Sequence, residues 1–239
     1  TALSEARTPK IRKTFDVKVI YCLRRQDLWL ESWFFQNLKW QWNPSLSHCT
    51  FDEFFARRQE FFWIDYRAYV SHLEDVFGAE NVLLYAFERE QMPDGPVKAF
   101  TDMLGLKDLD GFETPQHKNV SLSPAMSEFM RCLPLDAAEP RLRVIFERAC
   151  VELDKTLPAA KSSLIMNHAD RQKVLSEHKD GNRAIARQYF GRRELFMADV
   201  PGKNAELETM KLPQGSYVLM REMVSPFIRE LMAQIEKRA

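Results

Sequence analysis

Two short runs of apolar residues interrupt a chain whose hydrophobic positions otherwise recur at helical spacing. Residues 17–23 and 81–87 are rich in β-branched and apolar side chains, as strands of a covered parallel sheet are. A helical pattern follows each run. We therefore predict two strand–helix pairs, with strands at 16–23 and 81–87 and helices at 27–40 and 94–104.

Helical periodicity dominates the rest of the chain. One or two helices are predicted between residues 50 and 77, with Thr50 or Asp52 as the N-cap and Gly78 at the end. Residues 106–122 are polar and irregular, which predicts a loop. Further helices are predicted at 124–132, 139–157, 169–189 and from about 216, the last kinked near Pro226.

The first predicted strand ends in Arg24 and Arg25, and Ser32 follows Arg24 by eight residues. This spacing places an arginine at the strand end and a hydroxyl about two turns into the next helix. Ligands of α/β proteins bind at the carboxyl ends of parallel strands, and a guanidinium with a hydroxyl suits a phosphate. Taken alone, an arginine after a strand is usually a solvated surface residue, and a serine in a helix usually has no special role. Arg25 is predicted to be solvated.

The segment VIYCLRRQDLWLES resembles the 3′-phosphate-binding element of sulfotransferases that use 3′-phosphoadenosine 5′-phosphosulfate (PAPS), especially the bacterial branch. Weaker resemblances follow in the family's order: FGAENVLLYAFERE to a strand ending in an aromatic-Glu pair, PVKAFTDMLGL to its helix, then NVSLSPAMSEFMRCL and GNRAIARQYFGRRELF. These blocks lie within residues 15–197. The resemblance implies that Arg24 and Ser32 bind the 3′-phosphate and that Arg183, in a basic segment around a glycine, closes over it. A solvated helix N-terminus is the simpler explanation of the Arg183 segment.

The resemblance also implies a fold and a reaction. We expect a helix-rich α/β protein with the parallel-sheet, P-loop nucleotide-binding architecture of sulfotransferases and an extra helical lobe. That domain would cover residues 1–200, with a C-terminal loop and helix at 201–239 packed on it. The reaction would move a sulfuryl group from PAPS to a hydroxyl of a carbohydrate or small molecule, leaving 3′-phosphoadenosine 5′-phosphate (PAP).

One family feature has no counterpart here. The Lys- and Gly-rich loop that wraps the 5′-phosphosulfate should precede Arg24, but all eight glycines follow it, the first being Gly78. We expect an N-terminal truncation, with a vestigial site as the alternative. The family's catalytic base also precedes the arginine, and Glu5 is more simply explained as an exposed charge. No catalytic residue is therefore assigned.

Composition restricts the possible partners of the protein and its compartment. The 34 basic and 34 acidic residues cancel, which argues against a general nucleic-acid binder. No run of 18 apolar residues predicts a membrane span, and no spacing predicts a metal site. The cysteines are predicted to be reduced thiols in a cytoplasmic protein: Cys22 within a buried strand, Cys49, Cys132 and Cys150.

Two other functions stay open. A non-catalytic helical interaction protein with a degenerate sulfotransferase fold would explain the missing loop. A glycosyltransferase or nucleotide kinase would need a carboxylate pair or a phosphate loop, and neither is found.

Aromatic residues at 51–69 could line an acceptor pocket or fill a core, while Trp40 and Trp42 are predicted to be partly exposed. The amphipathic C-terminal helix could pack on its own core or form a homo-oligomer.

Overall fold

The computed structural model describes residues 14–106 and 121–237. Two strands, β1 (Val19–Leu23) and β2 (Val82–Ala86), pair in parallel, with Val19 opposite Val82 and Leu23 opposite Ala86. The helices are α1 Gln26–Trp40, α2 Pro44–Ser47, α3 Phe51–Ala56, α4 Tyr66–Phe77, α5 Gly95–Met103, α6 Pro124–Arg131, α7 Pro140–Asp154, α8 His168–Phe190, α9 Ser216–Leu219 and α10 Ser225–Glu236. A π-helical segment, Met220–Val224, joins the last two. Single 3₁₀ turns lie at Arg58–Glu60, Phe62–Ile64, Ala79–Asn81, Arg89–Gln91 and Leu135–Ala137.

The described chain divides into two compact units, each built from three separate stretches. Unit 1 contains residues 14–28, 59–106 and 171–200, and unit 2 contains residues 29–58, 121–170 and 201–237. The chain passes from unit 1 to unit 2 for the last time after Val200. The division into domains 1–200 and 201–239 stays a prediction from the sequence.

The core of unit 1 covers one face of the strand pair. Leu23 and Val82 pack with buried residues of α4 and α8, among them Val70 and Ile185. Helix α4 begins where the Asp65 side chain accepts a hydrogen bond from the Ala68 amide and ends at Gly78, whose φ of 88° favours glycine. The burial of these apolar side chains is what holds the strands and helices of unit 1 together.

The core of unit 2 is helical. Buried side chains of α6, α7 and the C-terminal helix form one cluster: Met126, Phe129, Met130, Leu135, Ala149, Cys150, Leu153, Met223 and Phe227. Aromatic rings fill a second region, where the fully buried Phe34 of α1 contacts Phe51 and Phe54 of α3. Thr50 and Glu53 form a reciprocal capping box at the start of α3. The predicted cap at Thr50 is therefore confirmed.

The expected α/β, P-loop sulfotransferase architecture is wrong. Helices make up 61% and strands 5% of the described residues, whose sheet has two strands. The helix-rich part of the expectation agrees with the structure. The error arises because each block of the resemblance describes a local strand–helix unit. Such units do not fix how many strands share a sheet, and the remaining apolar residues recur at helical spacing and form helices.

Local predictions agree better with the structure. Both predicted strands form, each shortened to five residues, and the predicted helices form with shifts of a few residues at their ends. Cys22 is exposed rather than buried, because α4 and α8 cover one face of the strand pair and Cys22 lies on the other. A π-helical segment, Met220–Val224, lies just before Pro226, and the kink predicted there stays a prediction. Most of the predicted 106–122 loop lies outside the described residues.

Candidate functional site at the strand ends

Arg24 directly follows β1, and α1 begins two residues later. The buried Tyr66 fixes this junction: its hydroxyl donates to the Arg24 carbonyl oxygen, and the Arg24 amide donates to the hydroxyl oxygen at 3.2 Å. Burial raises the pKa of Tyr66 far above its ordinary value, so the phenol keeps its proton. The Arg24 backbone is therefore held by a neutral donor and acceptor, while its side chain is half-buried.

Arg25, predicted to be solvated, is instead 3% exposed. Its Nε donates to Asp27 Oδ1 at 2.8 Å, and Arg171 Nη1 donates to Asp27 Oδ2 at 2.8 Å. Arg25 Nη1 also donates to the carbonyl oxygens of Ala198 at 2.8 Å and Asp199 at 3.0 Å. Burial alone would raise the pKa of Asp27, but hydrogen bonds and charge from the two arginines outweigh it, and the pKa lies below its ordinary value.

A second buried carboxylate, Glu88, lies just beyond β2. It accepts hydrogen bonds from the Met197 amide at 2.7 Å, the Ala198 amide at 3.3 Å and Gln91 Nε2 at 2.6 Å. Gln91 Nε2 also donates to the Leu195 carbonyl oxygen at 3.0 Å. Residues 195–199 are thus fastened to the carboxyl ends of both strands. We call Arg25, Asp27, Glu88 and Arg171 the strand-end network.

The start of α1 is also tied to α8. Gln26 and Asn182 exchange side-chain hydrogen bonds of 2.8 and 3.0 Å. Gly181 of the same helix lies close to α4, where an added Cβ would lie 3.2 Å from Arg67 Cβ. The basic segment around Gly181 therefore lies inside a helix, and its partly exposed Arg183 pairs with Glu194 at 3.0 Å.

The three residues predicted to bind phosphate lie on different elements of the fold. Arg24 and Arg183 belong to unit 1, at the end of β1 and on α8. Ser32 is a half-buried residue of α1 that belongs to unit 2, and its part in binding stays a prediction from its spacing.

Sequence reasoning missed the strand-end network. The sequence pointed to Glu88, because it is the glutamate of the aromatic-Glu pair that ends the second strand block. It pointed less clearly to Asp27, which is an acidic residue in the first turn of α1. Nothing in the sequence pointed to Arg171, since 144 positions separate it from Asp27. Only the fold brings the Arg171 guanidinium and the Asp27 carboxylate together.

The described residues contain no group of three or more His, Cys, Asp or Glu side chains placed to hold a metal ion. No helix in residues 14–106 and 121–237 has the length and apolar character needed to cross a membrane.

No protein-family model matches the chain, and no solved structure matches it. The chain is similar to an uncharacterized protein of Archaeoglobus fulgidus, with 27% identity over 195 residues. The similarity covers 79% of this chain and 51% of the relative, so the chain spans about half the length of the relative it matches. The relative's description names no activity.

Proposed function

We propose that the chain binds a 3′-phosphoadenosine nucleotide through Arg24 and transfers a sulfuryl group from PAPS. The observation that carries this proposal is the position of Arg24 at the carboxyl end of a parallel strand, with its backbone fixed by the buried Tyr66. Strand ends of this kind are frequent ligand sites. A fixed backbone also lowers the conformational freedom that an arginine loses when it binds a phosphate.

The chemistry of the predicted donor set fits a phosphate. Arg24 and Arg183, both of unit 1, supply guanidinium N–H donors. Arg183 already pairs with Glu194, so a bound phosphate competes with that carboxylate for the same donors. In this proposal Arg24 is the main phosphate ligand. Arg183 would exchange its Glu194 partner for the phosphate.

The proposed reaction breaks the bond between the sulfuryl sulfur and the phosphate oxygen of PAPS and forms a bond to an acceptor hydroxyl oxygen. PAP leaves with the electron pair of the broken bond, and the hydroxyl proton passes to a base. Positioning and charge stabilisation supply most of the rate in transfers of this type. We propose a carbohydrate or small molecule as the acceptor and assign no residue to the proton transfer.

The location that we propose is the cytoplasm. The four cysteines are free thiols, from the exposed Cys22 to the buried Cys150, as is usual in a reducing compartment. The equal numbers of basic and acidic residues support small-molecule partners rather than nucleic acid.

Isothermal titration calorimetry with PAP tests the proposal. We expect wild-type protein and Arg187→Ala, an exposed arginine one turn beyond Arg183, to bind PAP equally. Arg24→Ala should weaken binding at least about tenfold, the loss expected for a charge-assisted hydrogen bond of about 1.4 kcal/mol. Absence of PAP binding to the wild-type protein would contradict the proposal, as would equal binding by Arg24→Ala.

A second function is a non-catalytic helical interaction protein. The strand-end network favours it, because Arg25 and Glu88 bind the protein's own backbone rather than being left for a ligand. Protein that binds PAP but transfers no sulfuryl group from radiolabelled PAPS to carbohydrate hydroxyls would support this function. Stronger binding of ATP or a nucleotide sugar than of PAP would instead favour a kinase or glycosyltransferase.

A further inference from the structure

Gln41 has an unusual backbone conformation immediately after α1. Its φ of 46° is the one positive value among non-glycine residues in the described parts of the chain. This left-handed region is unfavourable for a residue with a side chain. The buried side chain compensates: Nε2 donates to the Met130 carbonyl oxygen at 2.7 Å, and Oε1 accepts from the Asp136 amide at 3.0 Å. Glycine would relieve the strain but could make neither bond.

The conformation of Gln41 brings two tryptophans together. The rings of Trp40 and Trp42 stack with their centroids 4.3 Å apart and their planes at 27°. Trp42 is nevertheless 64% exposed. Because Trp40 covers one face of the Trp42 ring, this exposed area must include the opposite face. A flat apolar surface is therefore presented to solvent by a backbone held in an unfavourable conformation.

Polar groups accompany the exposed indole. Lys39, beside Trp40 in the chain, pairs with Glu147 at 3.1 Å, and both side chains are partly exposed. Asn43, which follows Trp42, is exposed and caps α2 by accepting from the Ser45 amide. Lys39 and Asn43 are thus polar neighbours of the tryptophans in the chain, and Lys39 is neutralised by a carboxylate. A second cation, Arg143, donates to the backbone carbonyl oxygens of Gln41 at 3.4 Å, Ala138 at 2.9 Å and Asp136 at 2.9 Å.

We propose that Trp42 is the platform of a carbohydrate-binding site in unit 2, and that its ligand is a neutral sugar ring. One face of a pyranose is lined by C–H groups and matches a flat indole, while the hydroxyls at its edge need polar partners such as Lys39 and Asn43. A single-stranded nucleic acid would also stack on the indole, but it needs unneutralised positive charge along its backbone. The pairing of Lys39 with Glu147 and the use of the Arg143 donors by backbone carbonyl oxygens favour the sugar.

Titration of the complete chain with a panel of neutral gluco-, manno-, galacto- and xylo-oligosaccharides, followed by calorimetry and tryptophan fluorescence, tests this site. The measurement contains no nucleotide, so its outcome is independent of the proposed sulfuryl transfer. We expect at least one oligosaccharide of the panel to bind and to change the fluorescence.

Three variants separate stacking from other causes. Trp42→Ala should weaken binding about tenfold, whereas Trp42→Tyr, which keeps a stacking ring, should retain most of it. Phe62→Ala is the matched control, because Phe62 is also 64% exposed but makes an edge contact with its neighbour rather than a stacked one. The thermal midpoint of unfolding should change little in all three, since the substituted rings are largely exposed.

Failure of every oligosaccharide in the panel to bind the wild-type protein would overturn the inference. Equal binding by Trp42→Ala, or an equal loss in Phe62→Ala, would also overturn it. Binding of a poly-dT oligonucleotide in preference to every sugar would show that the platform serves a nucleic acid instead.

Discussion

The charge on Asp27 is predicted to hold the strand-end network of unit 1 together. Asp27→Asn keeps the size of the side chain but removes the charge that faces two buried arginines. Arg25 and Arg171 are 3% and 1% exposed, so water cannot replace the lost carboxylate. The new amide nitrogen would also be a donor facing donors. Removing one partner of a buried ion pair costs about 3–5 kcal/mol, a large part of the roughly 5–15 kcal/mol that stabilises a domain.

A matched control is available on the surface of the same unit. Asp102→Asn also changes an acid to an amide opposite a basic side chain. In this pair, however, the Asp102 side chain is 52% exposed and the Lys98 side chain is 42% exposed. A surface pair one helical turn apart contributes about 0.3–0.5 kcal/mol. The comparison therefore separates the effect of burial from the effect of losing a negative charge.

Urea unfolding followed by circular dichroism measures the two losses, and hydrogen exchange of peptides from β1 and α8 assigns them to unit 1. We expect a lower midpoint for Asp27→Asn at an unchanged slope. A loss no larger than that of Asp102→Asn would refute the reasoning.

The free energy of unfolding of the wild-type protein should also fall at low pH, because acid protonates Asp27 and removes its charge. Because the pKa of Asp27 is lowered in the folded state, its contribution is complete above the ordinary value of about 3.9 and is lost as pH falls through the lower folded value.

Three further predictions concern single side chains. Tyr66→Phe removes the hydroxyl that fixes the Arg24 backbone and should weaken PAP binding in calorimetry; unchanged affinity would exclude this positioning role. His48 contacts the Arg131 carbonyl oxygen and the Asp136 carboxylate, and these contacts raise its pKa. Its stabilisation should be complete below about pH 6.5 and lost as pH rises through the folded pKa, so the thermal midpoint of wild type should fall with pH more than that of His48→Gln. Thr50→Ala should cost about 1 kcal/mol in urea unfolding through loss of the α3 cap, whereas Thr50→Ser should cost less.

Sequence reasoning succeeded where the determining interactions are local. The start of α3 was predictable because Thr50 and Glu53 are three residues apart and satisfy each other's backbone groups. The end of α4 was predictable because Gly78 adopts a φ of 88°. Both strands were found from their continuous apolar runs.

It failed where distant residues decide the outcome. Arg25 follows a strand and looks solvated in the sequence, yet Asp27 and carbonyl oxygens 173 and 174 positions away bury it. The number of strands in a sheet is likewise set by long-range pairing, and local strand–helix blocks therefore suggested a larger sheet than the two strands that form. The exposure of Trp42 was expected, but the left-handed Gln41 that supports it gave no local signal.

The central claim is that Arg24 recognises the 3′-phosphate of an adenine nucleotide. The most direct measurement compares the affinities of PAP and AMP, which differ by that phosphate, for wild-type protein and Arg24→Ala. The account predicts that wild type prefers PAP at least about tenfold and that Arg24→Ala loses most of this preference. Equal affinities of wild type for the two nucleotides, or the same preference in both proteins, would contradict it.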